Sequence, residues 1–171
     1  MSSDRILDVV VAGTESDSHT WNLVFLQLLL EDWGHRVENL GPCLTGAELA
    51  QACADSGPDL IVLSSVNGHG ESDGLRAVVE LRALAELAHT PIVIGGKLGT
   101  GRQLQSTPDA TGGGDSAEQM SRRLSAAGFS AVFHDPSEFR EFEQFVRSVA
   151  ASGGVGSAVP VLEKLRTTPA S

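Results

Sequence analysis

The sequence is poor in basic residues and has no long apolar run. Its 171 residues include 12 Lys and Arg against 22 Asp and Glu, so the formal net charge is −10. A surface of this sign repels phosphate backbones and anionic headgroups, so we expect no nucleic-acid partner and no membrane partner. The longest apolar stretch, around residues 23–30, is too short to cross a bilayer, and the charged N-terminus does not resemble a secretory signal. We therefore expect a cytoplasmic protein.

Cysteine is also scarce, with Cys43 and Cys53 as the two examples. Their number and spacing match no usual metal-binding motif. Isolated thiols in or near a predicted helix are typical of small buried side chains, and we expect no disulfide between them. The chain does contain 41% hydrophobic residues, which is enough for the core of one compact domain.

Strand and helix patterns alternate along the chain. Short apolar, β-branched runs predict five strands, at residues 6–12, 36–40, 60–64, 91–95 and 131–134. Longer segments predict five helices, at residues 20–33, 46–56, 75–88, 116–127 and 135–151. The last helix begins with a predicted capping box, in which Asp135 caps and Glu138 bonds back to the cap amide. This alternation predicts an α/β fold, a flavodoxin-like (Rossmann-like) doubly wound parallel sheet of order 2-1-3-4-5.

Two segments depart from the alternation. Residues 99–115 form a polar stretch longer than most connections, which predicts a mobile loop or a functional flap. The C-terminal part begins with SGGVGSAVP, so we assign residues 1–151 to the domain and residues 152–171 to a flexible tail. A partner-docking arm is the alternative interpretation of that tail.

The loop after the first predicted strand holds the residues of greatest chemical interest. In open parallel sheets, ligands bind beyond the carboxyl ends of the strands, where GTESDSH, SSVNGHGESDG and GGKLGTG would form one rim. His19 could bind a metal through one imidazole nitrogen while Asp17 holds the other. From spacing alone, an exposed helix cap and a solvated histidine are the commoner interpretation. Because no further zinc or iron ligand lies nearby, a single protein ligand makes sense only where a macrocycle supplies the others.

Three motifs in order resemble those of the cobalamin-binding small subunit of glutamate mutase (methylaspartate mutase), over roughly residues 6–150. The family patterns are Asp-x-His-x-x-Gly, Ser-Ser-Leu-Tyr-Gly-Gln-Gly-Glu and a Gly-Gly pair. They appear here as DSHTWN at residues 17–22, SSVNGHGE at residues 64–71 and GGKLG at residues 95–99. Singly, Gly-Gly is often a turn and Ser-Ser a helix cap, but these interpretations do not explain all three motifs together.

The resemblance implies a cobalamin site centred on His19. His19 would coordinate cobalt from below in place of the cofactor's own nucleotide base, with Asp17 as its hydrogen-bond partner. The released nucleotide tail would enter a slot beside the sheet, where the Ser64 hydroxyl reaches the base and Gly95 and Gly96 allow close passage. The implied cofactor-binding residues are Ser16, Asp17, Ser18, His19, Thr20, Asn22, Ser64, Ser65, Val66, Gly68, Gly95, Gly96, Lys97, Leu98 and Gly99.

The chain departs from the family motifs at several positions. Asn22 replaces the glycine of the first motif, where glycine would permit a positive φ or a close approach of the tail. Asn67 and His69 replace the aromatic residue and the glutamine of the second motif, and we expect His69 to be a polar loop residue. Residues 99–115 are also longer than the corresponding family segment.

The activity implied by the resemblance is the conversion of L-glutamate to threo-3-methylaspartate, which depends on the cobalt–carbon bond of adenosylcobalamin. A separate large catalytic subunit would hold the substrate, so no catalytic residue is assigned to this chain and we expect it to be inactive alone. Another B12-dependent mutase, a corrinoid carrier for methyl transfer and a receiver-like domain are the alternatives. Such carriers usually have a preceding helical domain, and a receiver would have a phosphorylatable Asp where this chain has Ser64 and Ser65.

Overall fold

The computed structural model describes residues 4–99 and 116–152. Its five strands are β1 (Asp8–Gly13), β2 (Arg36–Gly41), β3 (Leu60–Ser65), β4 (Ile92–Gly96) and β5 (Ala131–Phe133). Its α-helices are α1 (Trp21–Asp32), α2 (Gly46–Ser56), α3 (Gly70–Ala83), α4 (Ala117–Ala127) and α5 (Phe139–Ala151), with 3-10 turns at Ala85–Leu87 and Pro136–Glu138. The predicted flap beyond residue 99 and the predicted tail beyond residue 152 lie outside the described residues.

The strands form one parallel sheet of order β2-β1-β3-β4-β5, which confirms the predicted topology. One face is covered by α2, α3 and α4, whose buried side chains share a core cluster with Ile61 and Leu63 of β3. The other face is covered by α1 and α5, which pack with Leu60 and Val62. The buried residues of the strands therefore face one of two cores, according to their parity along the strand.

The central strand β3 shows why the sequence adopts this arrangement. All six residues of LIVLSS are buried, as expected of a strand that has helices on both faces. Because the side chains alternate, Ser64 continues the α1–α5 face and Ser65 continues the α2–α4 face. This parity decides which of the two serines can reach a given cavity.

Helix ends account for two of the differences between prediction and structure. Helix α3 begins at Gly70 and ends at Ala83, earlier than the predicted range of 75–88, and a 3-10 turn follows it. The predicted capping box before the last helix is wrong: the Glu138 carboxylate accepts from the His134 amide at 3.1 Å, not from the cap amide. Asp135 does cap, since its carboxylate accepts from the Ser137 amide at 2.7 Å.

The two cysteines differ in environment. Cys53 is fully buried in the core, as predicted, but Cys43 is exposed, so the prediction of two buried thiols is wrong. Cys43 has a φ of 60° in the turn between β2 and α2, a left-handed conformation that keeps it out of the helix. Separately, none of the helices within residues 4–99 and 116–152 has the length and apolar character needed to cross a bilayer.

Candidate functional site

The carboxyl ends of β1, β3 and β4 meet at one edge of the sheet. In the strand ladders Gly13 pairs with Ser64, and Ser64 pairs with Gly95. The Thr14 amide, just beyond β1, donates to the Ser64 carbonyl at 3.2 Å. The three motif loops predicted from the sequence therefore lie side by side and form one rim.

The Asp17 carboxylate connects two of these loops. Its side chain is 1% exposed. Oδ1 accepts from the His19 amide at 2.9 Å and lies 2.7 Å from His19 Nδ1. Oδ2 accepts from the Val66 amide at 2.5 Å. The expected contact between Asp17 and His19 is therefore present, and the same carboxylate also positions the loop after β3.

The charge of Asp17 favours one tautomer of the His19 ring. Burial raises the pKa of Asp17, but the hydrogen bonds from His19 and Val66 outweigh this effect and the net shift is downward. An ionised carboxylate can only accept, so the hydrogen between the two side chains belongs to Nδ1, and in that tautomer Nε2 has the free lone pair. The His19 side chain is 60% exposed, which leaves the ring accessible to a ligand above the rim.

Asp73 anchors the first loop from α3, a role that was not predicted from the sequence. This carboxylate is 3% exposed in the first turn of the helix. Its Oδ2 accepts from the Ser16 amide at 3.0 Å and from the Ser16 hydroxyl. Its Oδ1 accepts from Arg76 at 2.6 Å. Acidic residues are common in the first turn of helices, so the sequence contains no signal that this one is buried.

Asn67 links the loop after β1 to the loop after β3, on the outer side of the rim. Its Nδ2 donates to the Ser16 carbonyl at 2.8 Å and to the Ser16 hydroxyl at 3.0 Å. Its Oδ1 accepts from the His69 amide at 3.0 Å and from the Ser65 hydroxyl at 3.2 Å. The residue that replaces the motif aromatic therefore supports the loop by hydrogen bonds. His69 is exposed, as predicted for a polar loop residue.

A cavity of about 190 Å³ lies below this rim, between the sheet and helices α1 and α5. Five of the predicted site residues line it: Asn22, Ser64, Val66, Gly95 and Gly96. The remaining wall, which was not predicted from the sequence, is mostly apolar: Phe25, Leu26, Val62, Leu63, Val93, Phe133, Asp135, Glu138, Phe139 and Phe142. Strand parity could have identified Val62 and Val93, because they share a sheet face with Ser64 and Gly95.

The two glycines of the third motif have different structural roles. Gly96 has a φ of +116°, and a Cβ there would lie 2.1 Å from the Ser65 carbonyl oxygen. No other residue fits at this position, because the chain's own backbone occupies the space. A Cβ on Gly95 would meet Phe133 at an ordinary 3.5 Å. That Gly95 makes room for a ligand stays a prediction, whereas Gly96 is required by the packing of β4 on β3.

Asn22 lies in the first turn of α1 and does not have a positive φ. A positive φ is therefore not needed at this position in this chain, which leaves a close approach of the tail as the other predicted reason for glycine in the motif. Its Nδ2 donates to the Ser64 hydroxyl oxygen. Its Oδ1 is buried without a hydrogen-bond partner, and so is Thr14 Oγ1 just beyond β1. Buried polar atoms are rarely left unpaired, so these two oxygens are exceptional features of this edge of the sheet.

Several predicted site residues do not line the cavity. Ser65 faces the opposite core, where its Cβ lies against Gly70. Leu98 is 1% exposed in that same core, and its carbonyl accepts from the Glu71 amide at 3.0 Å. Gly99 is buried at the end of the described range. These residues support the rim from behind.

The other predicted residues shape the rim loops. The Gly68 amide donates to the Lys97 carbonyl at 3.1 Å, which joins the loops after β3 and β4. Ser18 and Thr20 are exposed beside His19, and the Thr20 carbonyl accepts from the Leu23 amide at 3.1 Å at the start of α1. None of these contacts fills the cavity.

The donor set suits a metal that brings most of its own ligands. Within the described ranges, residues 4–99 and 116–152, no group of three or more His, Cys, Asp and Glu side chains could hold a metal ion. His19 offers one imidazole nitrogen, backed by a carboxylate that also accepts from the amide of Val66, a residue of the cavity wall. This arrangement fits a single protein ligand to a metal that a macrocycle otherwise holds, with the cavity available for an attached organic group.

Comparison with known proteins agrees with this geometry. The family described as B12 binding domain matches residues 7–120. The chain is 30% identical to a glutamate mutase sigma subunit from Halobacterium salinarum over 140 residues, which cover 81% of this chain and 85% of that relative. It is 28% identical to the glutamate mutase sigma subunit from Carboxydothermus hydrogenoformans over 127 residues, covering 74% and 83%.

Solved structures show the same fold at lower identity. A cobalamin-binding protein from Desulfitobacterium hafniense superposes with a TM-score of 0.58 at 18% identity, over 83% of this chain and 59% of that one. A LuxR-family response regulator from Aurantimonas superposes with a TM-score of 0.59 at 16% identity, over 85% and 86%. These similarities concern the architecture alone, which receivers share.

Proposed function

Since this chain belongs to the B12-binding domain family, we propose that it is the cobalamin-binding small subunit of an adenosylcobalamin-dependent glutamate mutase. The observation that carries the proposal is the hydrogen bond between Asp17 and His19 at the rim, which the same carboxylate joins to Val66, a residue of the cavity wall. The glutamate mutase sigma subunits that align with most of the chain support the choice of enzyme.

His19 is the cobalt ligand in this proposal. Asp17 keeps the proton on Nδ1 and raises the electron donation of Nε2, and its third contact, the Val66 amide, prevents the carboxylate from rotating away. Asp73 and Asn67 hold Ser16, the residue that precedes this pair. The ligand is therefore preorganised before any cofactor arrives.

The cavity accommodates the nucleotide base in this proposal. Ser64 and Gly95 contribute to its sheet wall and Phe25 to its helix wall. The bound cofactor supplies a cobalt–carbon bond whose cleavage begins the carbon-skeleton rearrangement. This chain contributes orientation, exclusion of water from the base, and the position of the imidazole proton. We further propose that the rim faces a separate large catalytic subunit in the cytoplasm and that the chain is inactive without it.

Titration of the purified chain with cobalamin, followed by absorbance, tests the ligand assignment. The wild type should give the spectrum of cobalamin with its own base detached and a histidine bound, whereas His19→Ala should not. His89→Ala is the matched control, because His89 is an exposed histidine just before β4. An unchanged spectrum and affinity in His19→Ala would disprove the assignment. Full turnover by the chain alone would disprove the subunit role.

A further inference from the structure

The cavity below the rim has an almost entirely apolar surface, and four phenylalanines line it. Phe133 and Phe142 are buried and pack edge to face, with ring centroids 5.4 Å apart. Phe25 of α1 and Phe139 of α5 form a second edge-to-face pair at 5.4 Å, but they remain 50% and 38% exposed. The rings of Phe25 and Phe139 are therefore the part of the aromatic wall that is most available to a ligand.

The polar side chains of the wall contribute almost nothing to the surface of the cavity. The Asn22 amide and the Ser64 hydroxyl hydrogen-bond to each other. The carboxylates of Asp135 and Glu138 each accept a backbone amide hydrogen. A ligand in the cavity therefore meets few hydrogen-bond partners, and a polar group that it buries there loses its bonds to water without replacement.

We infer that Phe25 and Phe139 make this cavity selective for a methylated benzimidazole base over a purine base. The inference rests on the proposed function and concerns which cobamide, meaning cobalamin or an analogue with another base, the site accepts. Both bases are flat aromatic bicycles, so their overall shape does not distinguish them. The methyl groups of dimethylbenzimidazole gain apolar contact with the two rings, whereas the exocyclic amine of adenine is buried without a partner.

Two cobamides test this selectivity: cobalamin itself, whose base is dimethylbenzimidazole, and the analogue with an adenine base. Dissociation constants of both are measured by absorbance titration for the wild type, Phe25→Leu and Phe25→Asn. Leu and Asn have a similar branched shape, but only Asn brings an amide that can bond to adenine.

The measured quantity is the ratio of the two dissociation constants, adenine over dimethylbenzimidazole. It should fall by about tenfold in Phe25→Asn, because an unpaired buried polar group costs about that factor. It should fall by less than about threefold in Phe25→Leu, which keeps the wall apolar. The two cobamides also differ in how firmly their own bases hold cobalt in solution, and this difference cancels when the ratio is compared between proteins.

Two further variants keep the result interpretable. Leu28→Asn is the matched control, because Leu28 is exposed on the same helix but does not line the cavity, so the ratio should not change. Phe139→Asn repeats the test from α5 and should lower the ratio as Phe25→Asn does. A ratio within about twofold of the wild-type value in both Asn variants of the pair would overturn the inference, since an unpaired polar group should shift it further. An equal fall in Phe25→Leu and Phe25→Asn would overturn it as well, because the apolar character of the wall would then not be the cause.

The experiment separates this inference from the proposed function. If the wild type binds cobalamin through His19 and the ratio does not depend on residues 25 and 139, the selectivity is wrong and the function stands. If the wild type binds neither cobamide, the proposed function fails and the selectivity fails with it.

Discussion

Substituting each of the two adjacent glycines of β4 in turn separates two requirements. Gly96 is required by the fold, and Gly95 is required by the cavity. Gly96→Ala places a methyl group 2.1 Å from the Ser65 carbonyl oxygen at a φ of +116°. The backbone conformation costs about 1–3 kcal/mol for a non-glycine residue. Relief of the overlap costs about 1–3 kcal/mol more, because the obstacle is backbone and not a flexible side chain. The free energy of unfolding should therefore fall by about 2–6 kcal/mol, a large part of the total for a domain of this size.

Gly95→Ala is the matched control for stability and the test for the cavity. Its added methyl meets Phe133 at 3.5 Å, without a positive φ, so the free energy of unfolding should change by less than about 1 kcal/mol. The same methyl occupies space in the cavity, so cobalamin should bind about tenfold more weakly.

Urea unfolding at pH 7 measures the free energy of unfolding of each variant, and absorbance titration with cobalamin measures its affinity for the cofactor. Comparable stability of Gly96→Ala and the wild type would refute the close approach of β4 to β3. Wild-type affinity in Gly95→Ala would refute the assignment of the cavity to the nucleotide base.

Two further predictions concern titratable side chains. The hydrogen bonds that outweigh burial lower the pKa of Asp17, so its stabilising contribution is complete above the unfolded-state pKa of about 3.9 and is lost as the pH falls through the lower folded-state value. The wild type should therefore lose its stability advantage over Asp17→Asn in urea melts below about pH 4, and an advantage unchanged down to pH 2 would contradict this. Burial raises the pKa of the Cys53 thiol to about 12, so an aromatic disulfide reagent at pH 8 should label Cys43 rapidly and Cys53 only in denaturant. Rapid release of two equivalents of the reagent's aromatic thiolate per native chain would contradict this prediction.

The elements of the fold were predictable because their signals are local. Continuous β-branched runs such as LIVLSS indicate strands buried on both faces, and the alternation with helices restricts the topology to a few parallel orders. The errors occurred where a neighbouring segment decides the outcome. The start of α3 and the partner of the Glu138 carboxylate both depend on loops that the local pattern does not describe.

The sequence by itself determined the position of the rim and placed Asp17 and His19 close enough to pair. Carboxyl ends of parallel strands must share an edge, and two residues separated by one position can meet within a single turn of the loop. The motifs identified five residues of the cavity wall because they occupy those same strand ends and the first turn of α1.

Only the tertiary structure decided what surrounds that pair. Asp73 reaches Ser16 across 57 positions of the chain, and Asn22 reaches Ser64 across 42. The apolar wall of the cavity depends on how α1 and α5 pack against β3 and β4. Contacts between segments so distant in sequence are set by how the helices and strands pack against each other, which no local pattern encodes. For the same reason, the different roles of Gly95 and Gly96 follow from the packing of β4 against β3 and are not evident from the sequence alone.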